Sequence, residues 1–135
     1  MIIDSSVLIA ILTQESDAED YANAISLASR TRVGAPTYVE TALVLDHRPD
    51  VPPGTLDEFL DHAVVDIEPF TVEQARAARK AHHRFGRGSG SQARLNLGDC
   101  FSYALAITED EPLLFKGDDF THTDVRNALM ESDHH

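Results

Sequence analysis

The residues able to do chemistry in this sequence are carboxylates, and they come at particular places. Asp4 follows the apolar pair Ile2-Ile3. Glu40 ends the run Ala35-Pro36-Thr37-Tyr38-Val39-Glu40. Asp99 stands in Leu97-Gly98-Asp99, and Asp118-Asp119 follow Leu113-Leu114-Phe115 after a short turn. Two carboxylates held ~5 Å apart repel by about 3 kcal/mol at an effective dielectric near 20. Three or four in one place need something to offset that repulsion, and a divalent cation does so. Mg²⁺ takes oxygen ligands, keeps several waters and usually binds one or two carboxylates directly. Such a site can activate water and neutralise charge on a phosphate.

For this to happen, elements far apart in the chain must bring the acids together. Ile2-Ile3 reads as a short buried strand, and Ser5 to Leu12 as a helix with Val7, Leu8, Ile11 and Leu12 on one face. Ser16-Asp17-Ala18-Glu19 reads as a capping box that opens a helix to about Ser29. Arg32 to Ala35 reads as a second strand, with a helix opening at Pro36-Thr37. Pro49, Pro52, Pro53 and Gly54 mark a loop, and a second Thr-x-x-Glu box starts a helix from Thr55 to His62. Val64 to Ile67 is a third strand, and Thr71 caps a helix to about Phe85. Gly86 to Ser91 is a Gly/Ser-rich surface loop. Leu97 to Thr108 is helical, Leu113 to Phe115 is a fourth strand, and Val125 to Met130 fits either a fifth strand or a final helix. Short apolar strands alternating with amphipathic helices imply parallel pairing with helices on both faces. The expected fold is α/β, a three-layer sandwich around a small parallel sheet. In such sheets, sites form beyond the carboxyl ends of the strands, and that is where Asp4, Glu40, Asp99 and the Asp118-Asp119 pair fall.

Each acid also has a purely structural use. Asp4 can cap the first helix, Glu40 can answer Thr37 in a capping box, Asp99 suits a helix start, and Asp118 and Asp119 suit a turn. Singly these uses suffice. Together they give no reason for the acids to arrive at one place.

The chain has 135 residues, 42% of them hydrophobic and 25% charged, which fits one domain with a real core. We expect one domain over residues 1–131 and a tail over 132–135; its His134-His135 fits a native end or a tag remnant and is given no function. There is no signal-like or membrane-spanning run. Cys100 has no internal disulfide partner, in keeping with a reducing compartment, and the expected location is the cytoplasm. The formal charge of −12 argues against binding nucleic acid through net charge alone. The charge is uneven, however. From Ala75 to Gly98 there is no Asp or Glu, and this window holds six of the 11 cationic residues: Arg76, Arg79, Lys80, Arg84, Arg87 and Arg94. It reads either as a solvated helix face with a polar loop or as a phosphate-backbone guide beside an acidic pocket. Tyr38, Phe85 and Tyr103 suit base stacking or core packing equally.

The runs Met1-Ile2-Ile3-Asp4-Ser5-Ser6-Val7-Leu8-Ile9-Ala10, Ala35 to Glu40, Leu95 to Ala106 and Leu113 to Phe120, in this order and spacing, resemble PIN-domain ribonucleases, and within them the VapC-type toxins of toxin–antitoxin modules. The resemblance implies a PIN-like fold and an endoribonuclease dependent on Mg²⁺ or Mn²⁺. Asp4 and Asp99 match the direct metal ligands, and Glu40 would hold water on the metal or help take its proton. The fourth acid matches Asp119, with Asp118 as the fallback, because Gly117 stands where many relatives carry the first of two spaced acids. Ser6 matches a supporting hydroxyl; independently of the resemblance, Arg84 and Arg87 are the residues of the basic window expected to guide RNA. The resemblance also implies a homodimer and a cognate VapB-type antitoxin that places a basic side chain in the acidic pocket. DNA binding would belong to the antitoxin, not to this chain.

Two other readings start from the same residues. A haloacid-dehalogenase-type phosphatase also begins with a strand and an Asp, but needs a second Asp where this chain has Ser6; a receiver domain needs an acidic pair at the first strand end, which is missing. A catalytically inactive PIN-like interaction module is the alternative of a different class, and the joint presence of Asp4, Glu40 and Asp99 argues against it.

Overall fold

The computed structural model describes residues 1–131, so the expected tail at 132–135 lies outside the described residues. Four parallel strands, β1 (Ile2–Ile3), β2 (Thr31–Gly34), β3 (Val65–Glu68) and β4 (Leu113–Leu114), form a sheet in the order β3-β2-β1-β4. The connections carry α1 (Ser5–Leu12), α2 (Ala18–Leu27), α3 (Ala35–Asp46), α4 (Thr55–His62), α5 (Val72–Phe85) and α6 (Leu97–Thr108), and α7 (Ala128–Glu131) follows β4. Among the described residues no helix is long and apolar enough to cross a membrane.

Two-residue strands suffice because successive side chains go to opposite faces. Ile2 and Leu113 enter one core with Ala78, Phe85, Leu95 and Leu105, beneath α5 and α6. Ile3 and Leu114 enter the other with Leu8, Ile25, Leu45 and Leu60, on the side of α1, α2 and α4. Both faces of the sheet are thus buried, giving the expected three layers. Since β2 and β3 lie on one side of β1 and β4 on the other, the chain leaves the β1–β4 boundary in opposite directions. A crevice is expected outside the carboxyl ends of those two strands.

Several local details differ from the sequence reading. Ser16 caps nothing: α2 starts after Asp17, whose carboxylate accepts from Lys116 Nζ at 3.0 Å instead of closing the helix. Thr37 lies inside the first turn of α3, because Gly34 and Pro36 start the helix earlier, and no Thr37–Glu40 box forms. Gly54, at φ +83°, precedes α4, while the Thr55 hydroxyl donates to the Pro52 carbonyl. β3 starts at Val65 because Val64 has a left-handed backbone, φ 56°, that no strand residue adopts. The Thr71 cap forms as expected, accepting from Gln74 N at 3.1 Å. The last segment is both a bridge and a helix: Asn127 pairs with Leu113, and α7 follows at once.

The end of the sheet away from Asp4 is pinned by charge. Arg32 on β2, 6% exposed, meets Glu68 of β3 at 3.6 Å and Glu109 and Glu111 of the α6–β4 connection at 3.5 and 3.2 Å. The Met1 ammonium also binds Glu111, at 3.2 Å. Burial pushes the Glu111 carboxyl up, but the ammonium and Arg32 outweigh it and leave the group below the ordinary glutamate range. Arg32→Met leaves three acids facing one another. The expected loss is about 2–4 kcal/mol, below the full cost of a broken buried pair because the acids are partly wet. A group with a depressed folded pKa stabilises above its unfolded value and loses that contribution as pH falls. Wild type should therefore lose stability below the ordinary glutamate pKa more steeply than Glu111→Gln. Denaturant melts of the three proteins across pH check both statements.

Candidate active site at the carboxyl edge of the sheet

Asp4 leaves β1 with its amide bonded to the Leu114 carbonyl at 3.0 Å, so the β1–β4 pairing fixes its backbone. It caps α1, accepting from Ser6 N at 3.1 Å, and is only 3% exposed. Its two oxygens are held from two sides. Ser6 Oγ donates to Oδ2 and Ser102 Oγ to Oδ1, both at 2.6 Å. Ser6 Oγ itself accepts from the Lys116 amide just past β4, at 3.0 Å, and Ser102 Oγ lies 3.3 Å from Thr37 Oγ1 on α3. Asp4 is thus a helix cap and also the point where β1, β4, α3 and α6 meet.

Asp99 fills the structural use foreseen for it, at the start of a helix. With Asn96 it forms a reciprocal capping box on α6: Asp99 N donates to Asn96 Oδ1 at 2.8 Å, and Asn96 N to Asp99 Oδ2 at 3.1 Å. Its carboxyl is pushed up to about 7, chiefly by burial; the Asn96 amide opposes this, and the charges of Asp4 and Asp119 and a hydrogen bond with Asp119 add to it. Glu40, freed from the Thr37 box, lies over Gly98 at the start of α6, where an added Cβ would collide with its carboxylate. Burial raises the Glu40 carboxyl, a hydrogen bond from Ser5 lowers it, and Asp4 raises it again. Asp119 is exposed but reaches Asp99, whereas exposed Asp118 caps a turn through its carbonyl, which accepts from Thr121 N at 3.2 Å.

Asp4, Glu40, Asp99 and Asp119 are therefore linked by mutual repulsion across 115 residues of chain, and among the described residues none of them makes an ion pair. The donors are all oxygen, which suits a hard divalent cation. Among the described residues no three or more His, Cys, Asp or Glu side chains form a ready-made metal cage. Two carboxylates completed by water, as Mg²⁺ is commonly held, fit this arrangement.

The cationic window divides. Arg84 stacks on Phe85, 4.5 Å from the ring centre, and lies 3.5 Å from Asp124. Arg87 lines a cleft of about 700 Å³ with Gly88, Gly90, Ser91, Arg94 and Asp119. The candidate stacking rings are not free: Phe85 and Tyr103 are buried edge to face, with the Tyr103 hydroxyl on Asp124, and Tyr38 donates to Asp57 at 2.6 Å. Cys100 is buried and its thiol is pushed up to about 11, chiefly by burial.

Sequence reading gave no role to Ser102, Ser5 or Gly98, and named Arg94 only as one of the six cationic residues of the 75–98 window. Ser102 was findable, since it stands three residues after Asp99 on the same helical face. A glycine in the first turn of a helix was also a signal, as it often marks a close approach.

The arrangement is that of an α/β protein whose chemistry sits in the crevice at the carboxyl edge of a parallel sheet. Residues 1–126 match the PIN domain family. The chain is 52% identical over 130 residues to Ribonuclease VapC28 of Mycobacterium tuberculosis, covering 96% of this chain and 98% of that protein. It is 45% identical over 131 residues to Ribonuclease VapC30 of the same organism, covering 96% and 99%. In fold it is similar to the crystal structure of M. tuberculosis VapC20, described as a sarcin-ricin loop cleaving toxin, with a TM-score of 0.69 at 14% identity over 93% of this chain and 98% of that one. A toxin–antitoxin complex from Klebsiella pneumoniae gives 0.67 at 14% identity, over 91% and 92%. The chain belongs to the PIN-domain family, in its VapC ribonuclease branch.

Gly98→Ala tests the close approach directly. Alanine is the better helix former by up to about 1 kcal/mol, and the obstacle is the mobile end of a side chain. The variant should melt within a few degrees of wild type while its crystal structure has Glu40 displaced; a Glu40 still resting on residue 98 would contradict the packing described.

Proposed function

We propose that the chain is the toxin of a toxin–antitoxin module, an endoribonuclease that hydrolyses RNA phosphodiesters by water attack, leaving a 5′-phosphate and a 3′-hydroxyl. The observation that carries this reading is the set of carboxylates around buried Asp4 and Asp99, none of which makes an ion pair among the described residues. Asp4 and Asp99 are the residues that would hold the cation. When bound, Mg²⁺, or Mn²⁺ in its place, supplies positive charge and Lewis acidity at the scissile phosphate.

The rest falls to the protein's own groups. Ser6 and Ser102 fix the Asp4 carboxylate, so that its remaining lone pairs point in set directions. Glu40, with its carboxyl raised mainly by burial, orients the attacking water and accepts its proton; a raised pKa makes it a stronger base. Asp119 borders Asp99 on the open side, with Asp118 beside it on the outer turn. Arg84 and Arg87 guide the RNA backbone. The acidic chain suits a basic partner, a cognate VapB-type antitoxin, which would mask the pocket and carry any DNA binding of the complex. The toxin acts in the cytoplasm as a homodimer.

Asp4→Asn should lower RNA cleavage by more than about 100-fold, and Ser102→Ala by about 10–100-fold, the range found when an outer partner of a metal ligand is lost. EDTA should stop the wild type. Without divalent cations Asp4→Asn should melt at or above wild type, because one repelling charge is gone while the helix cap survives. Mg²⁺ should raise only the wild-type melting temperature. Mapping the cut ends of a defined RNA, alongside melts with and without Mg²⁺, checks these outcomes. Full activity of Asp4→Asn, or equal Mg²⁺ shifts in both proteins, would refute the assignment.

A further inference from the structure

The structure assigns Arg94, together with Arg87, to a binding site for a backbone phosphate of single-stranded RNA on the rim of the carboxylate cluster; this deepens the ribonuclease reading and rests on it. Three observations converge. The first is charge. Outside the window from Ala75 to Gly98, Arg30, Arg32, Arg48, Lys116 and Arg126 are all in ion pairs. Among the described residues Arg76, Arg79 and Lys80 of α5 are in none, and neither are Arg87 and Arg94; what sets the last two apart is their place beside Asp119. They share a cleft of about 700 Å³ whose remaining wall includes Asp119, and Asp119 contacts Asp99. The cleft therefore opens onto the candidate reaction site.

The second observation is anchorage. The two arginines stand on opposite limbs of the 86–95 loop, and these limbs are tied together. Arg87 N donates to the Leu95 carbonyl at 3.1 Å, and Leu95 N to the Phe85 carbonyl at 2.9 Å. Ala93 and Leu95, on either side of Arg94, are 4% and 0% exposed, while Arg94 itself is exposed. Ser89 and Ser91 hydroxyls accept from the Ser91 and Ala93 amides at 3.2 and 3.1 Å. The surface loop expected at Gly86 to Ser91 is thus tied at its base and along its length by hydrogen bonds.

The third is backbone conformation. This loop has left-handed positions at Gly88, φ +85°, and Gly90, φ +89°, where glycine has no steric cost. Its third such position, at φ 52°, is Arg94. A side chain kept where glycine would be easier is what sites that clamp a ligand show. A guanidinium fork matches the paired oxygens of a phosphodiester. RNA lying along the cleft would place one phosphate between Arg87 and Arg94 and an adjoining one over the acids.

The test separates this site from the catalytic reading. Binding of a fluorescent single-stranded RNA is titrated across salt concentrations in the Asp4→Asn background, with Arg87→Ala, Arg94→Gly, Arg94→Lys and, as a charge-matched control, Arg48→Ala. Removing one arginine–phosphate pairing should reduce the slope of log K against log salt by about 0.7. Arg87→Ala and Arg94→Gly should each show this, Arg94→Lys should restore most of the slope, and Arg48→Ala should not change it. Arg94→Gly suits the backbone and should keep the melting temperature, so misfolding would not mimic the effect. Unchanged slopes in both variants, or no RNA binding by the Asp4→Asn parent, would overturn the phosphate site. Altered slopes beside a wild type that fails to cleave RNA with Mg²⁺ would uphold it and overturn the ribonuclease reading.

Discussion

Burying a carboxylate without a cation beside it is costly, and the carboxyl edge of this sheet does so around Asp4. The local elements around it are the ones that make this possible. β1 brings Asp4 to the sheet end, β4 fixes its amide and the Ser6 hydroxyl, and α6 supplies Ser102 and Asp99. The hydroxyl and amide donors offset part of the cost by hydrogen bonding to the charged form, but they bring no net positive charge. The raised carboxyl of Asp99 is the mark of the remainder. A cation binding there would relieve repulsion already present in the folded chain, so the site gains affinity at the expense of stability.

The two ends of the sheet show the same physics with opposite settings. At the amino edge Arg32 and the Met1 ammonium gather Glu109 and Glu111, with the Glu68 side chain reaching Arg32 from the last residue of β3, and the Glu111 carboxyl sits below its ordinary range. At the carboxyl edge Asp4, Glu40, Asp99 and Asp119 make no ion pair among the described residues, and the carboxyls of Glu40 and Asp99 sit above their ordinary range. One end serves stability, and the other keeps its anionic character available. A fold that paired all its acids would be firmer and would have nothing to hold a metal with.

Much of this was legible in the sequence, because it depends on order along the chain. Asp4 after Ile2-Ile3 and acids after Leu113-Leu114 must share an edge once the strands are parallel. The alternation of Ile2 with Ile3 and of Leu113 with Leu114 between two cores follows from the strand period alone. The capping assignments failed at Ser16, Thr37 and Thr55 because a local hydroxyl–carboxylate pattern does not know its tertiary competitors: Lys116 takes Asp17, Gly34 and Pro36 start α3 early, and Gly54 turns left-handed before Thr55. Glu40, expected among the converging acids, is free of the Thr37 box that was its alternative use and reaches Gly98. Ser102 and Gly98 carry local signals on α6, but their partners, Asp4 and Glu40, lie nearly 60 residues or more away and are not displayed by that segment.

The cationic window makes the converse point about reading charge. As a composition feature it was ambiguous, since an exposed helix face and an RNA guide look alike in one dimension. In three dimensions its members differ in surroundings, although Arg76, Arg79 and Lys80 on α5 are, among the described residues, as free of ion pairs as Arg87 and Arg94. Arg84 is occupied by Asp124 and by the face of Phe85, so removing it would disturb packing as well as any ligand interaction. Arg87 and Arg94 sit on an anchored loop that opens to the acids. A strongly anionic chain must hold a polyanion near its own carboxylates against repulsion. Diffuse positive charge over a helix does that poorly, since it is screened within about 8–10 Å at physiological salt. A pair of arginines on a loop whose backbone is anchored at the lip of the pocket would act at contact distance, where screening is weakest.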